Sequence, residues 1–171
     1  MILYAESSAV LAWLLGEDEA EAVRGALAAA EAVLTSELTL IESDRCLHRA
    51  RAVEGLAEAE SSALRQQLER TAAHWTLLTV GPEVVERARG AFPVEPVRTL
   101  DALHLATALT VRDALSGLTV LSLDGRVRSN AMNLGFHVLP GQAEDAAGRD
   151  AAQTPEGRRE PSADREDDPA D

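Results

Sequence analysis

Five short apolar segments, separated by stretches with helical periodicity, limit the possible folds of this chain more than any other feature. They are ILYA, AVLTS, HWTLLTV, GLTVLSLD and FHVLP, in that order along the first 140 residues. Strands that alternate with helical segments are typical of an α/β fold with a mostly parallel sheet. The sequence therefore predicts a three-layer α/β/α sandwich around a central, mostly parallel sheet of about five strands.

A change of composition divides the chain near residue 142. From Gln142 onward there is no Leu, Ile, Val, Phe, Trp, Met or Tyr, and ten acids accompany four arginines. Such a segment cannot bury enough apolar surface to order itself. We predict one folded domain at residues 1–141 and an acidic, disordered tail at residues 142–171.

The charge balance excludes one class of nucleic-acid binding. The net charge is -13, and residues 1–141 carry -7 of it once the tail's -6 is removed. A domain this acidic is not expected to bind nucleic acid nonspecifically through a basic surface. A local arginine patch that faces RNA stays possible, and an acidic domain is compatible with a site for divalent cations.

The cysteine content and the apolar runs predict the compartment. Cys46 is the single cysteine, so no intramolecular disulfide can form, which favours a reducing compartment. No apolar run approaches the roughly 20 residues that span a membrane, and the first residues do not resemble a secretory signal. We expect a cytoplasmic protein without a membrane partner.

Acidic residues stand where the predicted strands end. Glu6 follows the first strand and Asp124 follows the fourth, whereas Glu42 lies in the helix after the second strand. Asp101 lies in the first turns of the long helix LDALHLATALTVRDAL. Because ligands of parallel α/β sheets bind beyond the carboxyl ends of the strands, we expect these acids to converge on one edge.

Carboxylates that converge on one edge need a counter-charge. Like charges a few Å apart repel or raise each other's pKa, and Mg²⁺ or Mn²⁺ relieves the conflict because hard cations prefer oxygen ligands. Two such ions, about 3.5–4 Å apart, can activate water and stabilise the leaving oxygen in phosphodiester cleavage. The sequence contains no competing zinc pattern, glycine-rich phosphate loop or GxSxG motif.

Each acid also has a simpler interpretation when it is taken alone. Glu6 can be a solvated residue at a strand end, and Glu42 can be an ordinary acid on a helix. Asp101 can complement the positive end of its helix, although Thr99 is the better candidate for the N-cap. Asp124 before a glycine fits a plain turn.

Four blocks of the sequence resemble the motifs of the PIN domain family, and more narrowly the VapC toxins of bacterial toxin–antitoxin pairs. They are MILYAESSAVLAWLL, VLTSELTLIESDRCLHRA, RTLDALHLATAL and VLSLDGRVRSNAMNLGF, and they cover about residues 1–140 in order. The resemblance implies an endoribonuclease that depends on Mg²⁺ or Mn²⁺. It also implies that the metal is held by four acids, namely Glu6, Glu42, Asp101 and Asp124.

The same resemblance implies a supporting residue and partners. Ser8 corresponds to a small hydroxyl residue that orients a metal ligand or positions water. The family pattern further implies an RNA substrate, a VapB-like antitoxin that blocks the site, and a homodimer. The apolar face of AVLAWLLGE and the helix from Leu56 to Leu68 are the predicted contact surfaces.

Glu6 departs from the family pattern, which usually has aspartate at this position. The extra methylene can be absorbed, or it can weaken metal binding, because Mg²⁺ demands near-ideal octahedral geometry. Two alternatives to the toxin therefore remain. One is a PIN-fold binding module with weak or no catalysis, and the other is an RNA-processing nuclease outside any toxin pair.

Histidine and arginine residues near the acids have less specific interpretations. We expect His104, one turn after Asp101, to pack and hydrogen-bond near the site and assign it no catalytic role. Three arginines follow Glu42 on or near one helix, and they can contact RNA phosphate, form surface ion pairs or meet a partner. They are Arg45, Arg49 and Arg51.

Overall fold

A sheet of five parallel strands runs through the domain. The computed structural model describes residues 1–141, and the predicted tail lies outside them. The strand order is β3-β2-β1-β4-β5, and every pair of neighbours is parallel. The strands are β1 (Ile2–Ala5), β2 (Ala32–Ser36), β3 (Thr76–Leu78), β4 (Leu118–Leu121) and β5 (His137–Leu139). The predicted fold class is confirmed, whereas the domain boundary at residue 141 stays a prediction.

Helices connect successive strands and cover both faces of the sheet. They are α1 (Ser7–Leu15), α2 (Ala20–Ala29), α3 (Glu37–Arg49), α4 (Glu58–Ala72), α5 (Pro82–Ala88), α6 (Thr99–Ala114) and α7 (Gly125–Asn133). A π-helical turn, Ala50–Glu54, extends α3 and ends at Gly55, whose φ of 77° is the left-handed conformation that glycine tolerates. Among residues 1–141, no helix is long and apolar enough to cross a membrane.

The strand order places a topological switch beside β1. The chain runs outward from β1 through β2 to β3, then returns to the other side of β1 with β4 and β5. β1 and β4 are paired up to Ala5 and Leu121, and the Glu6 backbone N–H donates to the Leu121 carbonyl at 2.9 Å. A crevice for ligands forms where neighbouring strands send their connections to opposite faces. Glu6 stands at this point.

Successive side chains of each strand point to opposite faces of the sheet and contribute to two apolar layers. In β1 the Tyr4 side chain packs on one face, whereas Leu3 and Ala5 pack on the other. The first layer includes apolar residues of α6 and α7, and the second includes residues of α1, α2, α3 and α4. Burying one Leu or Val side chain stabilises a fold by roughly 1.5–3 kcal/mol, so both layers are needed to hold a short-stranded sheet.

The prediction that the apolar faces of α1 and α4 contact partners is wrong. Val10 and Leu14 of α1 are buried in the second layer, and so is Leu68 of α4, with Leu56 and Leu64 packed against that layer. An apolar face that is already covered within the domain is not free to bind a partner. The periodicity that suggested these surfaces is that of a core-facing helix.

Asn130 fixes the loop that leads into α6. The side chain is fully buried, its Oδ1 accepts from the Val94 N–H at 2.9 Å, and its Nδ2 donates to the Val94 carbonyl at 2.9 Å. Its Nδ2 also donates to the Arg126 carbonyl within α7 at 3.1 Å, and the two contacts with Val94 hold α7 and the loop together. The start of α6 departs from expectation, because Arg98 is the N-cap residue without a side-chain cap and Thr99 is already helical.

Candidate active site at the carboxyl edge of the sheet

Glu6 lies in a cradle of serine hydroxyl groups. It follows β1 directly and is only 4% exposed. Ser7 donates to its Oε1 at 2.7 Å, Ser122 donates to its Oε2 at 2.7 Å, and Ser8 donates to the same Oε2. These hydroxyls offset the cost of burying a carboxylate, since a buried charge is tolerated only when it is hydrogen-bonded. We call Ser7, Ser8 and Ser122 the serine cradle.

Ser8 also connects Glu6 to the end of β4. Its hydroxyl oxygen accepts from the Leu123 N–H at 2.8 Å and from the Asp124 N–H at 3.0 Å. A hydroxyl that accepts two backbone hydrogen bonds has its own proton directed elsewhere, here towards Glu6. The residue predicted to orient a metal ligand therefore touches the first acid and the backbone of the last.

Glu42 is held by a buried histidine from the opposite layer. His104 is 1% exposed, and its Nε2 lies 2.7 Å from Glu42 Oε2 and 3.3 Å from the Ser7 hydroxyl. Its Nδ1 lies 2.9 Å from the Tyr4 hydroxyl. Burial raises the pKa of Glu42, but the hydrogen bonds of His104 and Ser7, together with the charge of His104, outweigh it, so this pKa lies below its usual value.

Asp124 caps the helix that follows it. Its Oδ1 accepts from the Arg126 N–H at 2.8 Å and from the Val127 N–H at 3.1 Å, which satisfies two free donors at the start of α7. The simple interpretation as a local structural acid is thus correct for one of its oxygens. The second oxygen is not used by the cap.

Asp101 carries the least satisfied carboxylate of the candidate site. Its Oδ2 is buried and has no hydrogen-bond partner among the described residues. Burial raises the pKa of Asp101, and the charges of Asp124 and then Glu6 raise it further, although Arg98 partly opposes them. A buried oxygen without a donor, close to other negative charges, is the arrangement that a cation relieves.

The structure gathers the predicted acids at one edge without closing them around a centre. Hydrogen bonds through His104 and Ser7 join Glu42 to Glu6, and electrostatic coupling joins Asp101 to Asp124 and Glu6. Within residues 1–141, no three or more His, Cys, Asp or Glu side chains are arranged so that they could already hold a metal ion. The carboxylates instead face their serine, histidine and backbone donors.

The donor chemistry nevertheless fits a hard cation. The four acids offer carboxylate oxygens, which Mg²⁺ and Mn²⁺ prefer, and Asp101 Oδ2 has no hydrogen-bond partner within residues 1–141. Assignment of Glu6, Glu42, Asp101 and Asp124 as metal ligands remains a prediction.

Sequence reasoning missed part of the hydrogen bonding around these acids. Tyr4, Ser7 and Ser122 were not predicted as site residues, and only the hydroxyls beside Glu6 and Asp124 hinted at the cradle. His104 does hydrogen-bond beside the site, as expected. Of the arginines after Glu42, Arg49 and Arg51 face Glu54 at 4.0 Å and Glu58 at 3.0 Å, as surface ion pairs.

Comparison with known proteins identifies the family. A model of the PIN domain family matches residues 3–132, which is most of the part that the structure describes. The chain belongs to the PIN domain family. The PIN domain resemblance predicted from the four sequence blocks is therefore confirmed.

Relatives of this PIN domain include curated ribonucleases. It is 35% identical over 137 residues to Ribonuclease VapC46 of Mycobacterium tuberculosis, covering 80% of this chain and 95% of that protein. Such coverage shows that the similarity extends over nearly the whole of the relative.

Solved structures share the fold of this PIN domain. The crystal structure of VapC20 from Mycobacterium tuberculosis, described as a Sarcin-Ricin loop cleaving toxin, superposes with a TM-score of 0.55 at 16% identity. It covers 78% of this chain and 95% of that chain. A toxin-antitoxin complex from Klebsiella pneumoniae superposes with a TM-score of 0.55 at 15% identity, covering 82% and 97%. At these identities the similarity shows the fold alone.

Proposed function

We propose that this PIN domain protein is a metal-dependent endoribonuclease, the toxin of a toxin–antitoxin pair. The observation that carries the proposal is the buried, unpartnered oxygen of Asp101 beside the charges of Asp124 and Glu6 at the topological switch. The curated relative VapC46 is a ribonuclease and is similar over nearly its full length. The carboxylate cluster and the ribonuclease relative both support this proposal.

The acids would hold the metal, and the surrounding residues would hold the acids. Glu6, Glu42, Asp101 and Asp124 are the proposed ligands of Mg²⁺ or Mn²⁺. When bound, the ion would supply activation of water and stabilisation of negative charge on the leaving oxygen. The serine cradle orients the buried Glu6 carboxylate, and the backbone N–H groups of the first turn of α7 orient Asp124.

Two arginines at the edge of the acidic site are suited to RNA phosphate. Arg98 precedes α6 and its charge acts on Asp101, while Arg126 lies in the first turn of α7. Both side chains are exposed. An arginine side chain beside the carboxylates would let the phosphate backbone of RNA approach them. The predicted RNA substrate is part of this proposal.

Partners and location follow from the toxin assignment. A VapB-like antitoxin is expected to bind and block the site, and a structural neighbour described as a toxin-antitoxin complex supports this expectation. A homodimer stays part of the proposal, although its surface is not the buried face of α1. The cytoplasmic location predicted from the lone Cys46 fits a protein that meets RNA and an antitoxin.

The test compares the native protein with Asp101→Asn in RNA cleavage with Mg²⁺ or Mn²⁺. The native protein is expected to cleave and Asp101→Asn is expected to be inactive. The melting temperature in EDTA should rise in the variant, because removing this charge relieves burial and repulsion by Asp124 and Glu6. A rise in melting temperature together with lost cleavage separates a lost ligand from a misfolded protein.

The same experiment tests the alternative of an inactive binding module. In that case neither protein cleaves any RNA, and the native protein binds Mn²⁺ no better than Asp101→Asn. If Glu6→Asp cleaves where the native protein does not, the glutamate has impaired the site. A small basic protein encoded immediately upstream would argue against an RNA-processing nuclease outside a toxin pair.

A further inference from the structure

His104 connects two of the proposed metal ligands from within the core. It lies on α6, in the layer opposite α1 and α3, and its ring reaches through to Glu42 and to Ser7. The Nε2–Glu42 distance of 2.7 Å is that of a strong, charge-assisted hydrogen bond. The ring is 1% exposed, so water does not compete for these contacts.

The directions of the hydrogen bonds are mutually consistent. Ser7 donates its single hydroxyl proton to Glu6 Oε1 at 2.7 Å. The Ser7 oxygen therefore acts as an acceptor towards His104. The Nε2–H group can then be shared between Glu42 Oε2 and Ser7. A continuous path results, from Glu42 through His104 and Ser7 to Glu6.

Tyr4 completes the arrangement on the other side of the ring. Its hydroxyl lies 2.9 Å from Nδ1, and it is buried in the layer between β1 and α6. The Tyr4 hydroxyl and Nδ1 can pair in either direction, and in both cases Nε2–H faces Glu42. The contact with Tyr4 therefore fixes the plane of the ring.

We propose that His104 is a positioning residue, which holds Glu42 and, through Ser7, Glu6 in fixed orientations beside the proposed metal site. The inference rests on the proposed function and adds to it a residue that is not itself a ligand. The carboxylates come from β1 and α3, and no direct hydrogen bond joins them in the described residues. A rigid ring anchored by Tyr4 keeps them at a fixed separation before any cation arrives.

The experiment measures Mn²⁺ binding without RNA, by electron paramagnetic resonance titration, for the full-length native protein and four variants. His104→Leu removes the donor, and we expect it to weaken Mn²⁺ binding about 10- to 100-fold. His104→Gln places an amide N–H near the position of Nε2, and we expect it to recover most of the affinity. Tyr4→Phe frees the ring, and we expect a smaller loss than for His104→Leu.

A matched control and a second readout separate positioning from stability. His74→Leu changes an exposed histidine just before β3, at the amino edge of the sheet, and should leave Mn²⁺ binding unchanged. Cleavage at saturating Mn²⁺ should show a lower kcat for His104→Leu and a KM for RNA near the native value. A purely structural histidine would instead lower the melting temperature of both His104 variants equally, with no recovery of affinity in His104→Gln.

Each outcome decides the proposal. Native-like Mn²⁺ affinity in folded His104→Leu overturns the positioning role but leaves the nuclease proposal intact, provided that the native protein binds Mn²⁺ and cleaves RNA. A native protein that does neither overturns both. If His104→Leu does not fold, Tyr4→Phe decides. Native-like Mn²⁺ affinity in folded Tyr4→Phe overturns the role, and weakened affinity supports it.

Discussion

At the scale of single residues, the fit of Glu6 to its serine cradle decides how its departure from aspartate is interpreted. Three hydroxyls from two chain segments reach the two oxygens of one glutamate. An aspartate carboxylate would sit one methylene closer to the backbone and could not keep all three contacts. The structure therefore indicates a position built around glutamate and not an aspartate site that has decayed.

Glu6→Asp is expected to lower cleavage instead of raising it. Hydroxyls left without their buried acceptor cost about 1–3 kcal/mol each in stability. Misplacement of a proposed ligand should reduce Mn²⁺ affinity about 10- to 100-fold. Denaturant unfolding and Mn²⁺ titration measure the two effects, and Glu60→Asp on the exposed side of α4 is the control. Faster cleavage in Glu6→Asp than in the native protein would contradict this interpretation.

At the scale of elements, the loop between α5 and α6 depends on one buried amide. Asn130 of α7 pairs with both the N–H and the carbonyl of Val94, as a neighbouring strand would. The carboxylate of Glu95 accepts from the Phe92 and Val97 N–H groups at 2.9 and 2.7 Å, which closes the loop on itself. This loop determines where α6 begins, and hence where Asp101 lies.

Asn130→Ala is expected to destabilise the domain by about 1–3 kcal/mol, because it removes the hydrogen bonds that a buried side chain makes to the Val94 N–H and carbonyl. Asn133→Ala is the control. Asn133 is exposed and donates only to the Ser129 carbonyl within its own helix, so a change within about 0.5 kcal/mol is expected. Guanidinium unfolding monitored by circular dichroism measures both, and equal effects would show that the loop is held by other contacts.

At the scale of the whole molecule, the acidic charge must be reconciled with an anionic substrate. The chain carries a net charge of -13, and four of its carboxylates belong to the candidate site at one edge of the sheet. RNA would approach such an edge only where local positive charge outweighs the average field. Arg98, just before α6, and Arg126, in the first turn of α7, are exposed cations near Asp101 and Asp124.

Arg98→Ala is expected to raise the KM for RNA with little change in kcat, since a phosphate contact contributes to binding and not to the chemical step. The dependence of log KM on log salt should become shallower by about 1. Arg70→Ala is the matched control, because Arg70 is exposed near the end of α4, which leads into the amino end of β3. Identical salt dependence in the two variants would rule out Arg98 as a phosphate contact.

The sequence by itself determined the layers and the order of the elements. Alternating apolar segments and helical periods are local signals, so the parallel five-stranded sheet was predictable from neighbouring residues alone. The acids at strand ends were predictable for the same reason, because parallel strands end at one edge. Local signals also misled, since the apolar face of α1 suggested a partner surface and proved to be core.

Only the tertiary structure decided what surrounds those acids. The strand order brings β4 beside β1, so Ser122 reaches Glu6 from 116 residues away, and His104 reaches Glu42 from 62 residues away. No periodicity encodes which hydroxyl or ring meets which carboxylate, because those contacts follow from long-range strand pairing and from packing across the sheet. The chemistry of this site therefore depends on distances that the sequence does not contain.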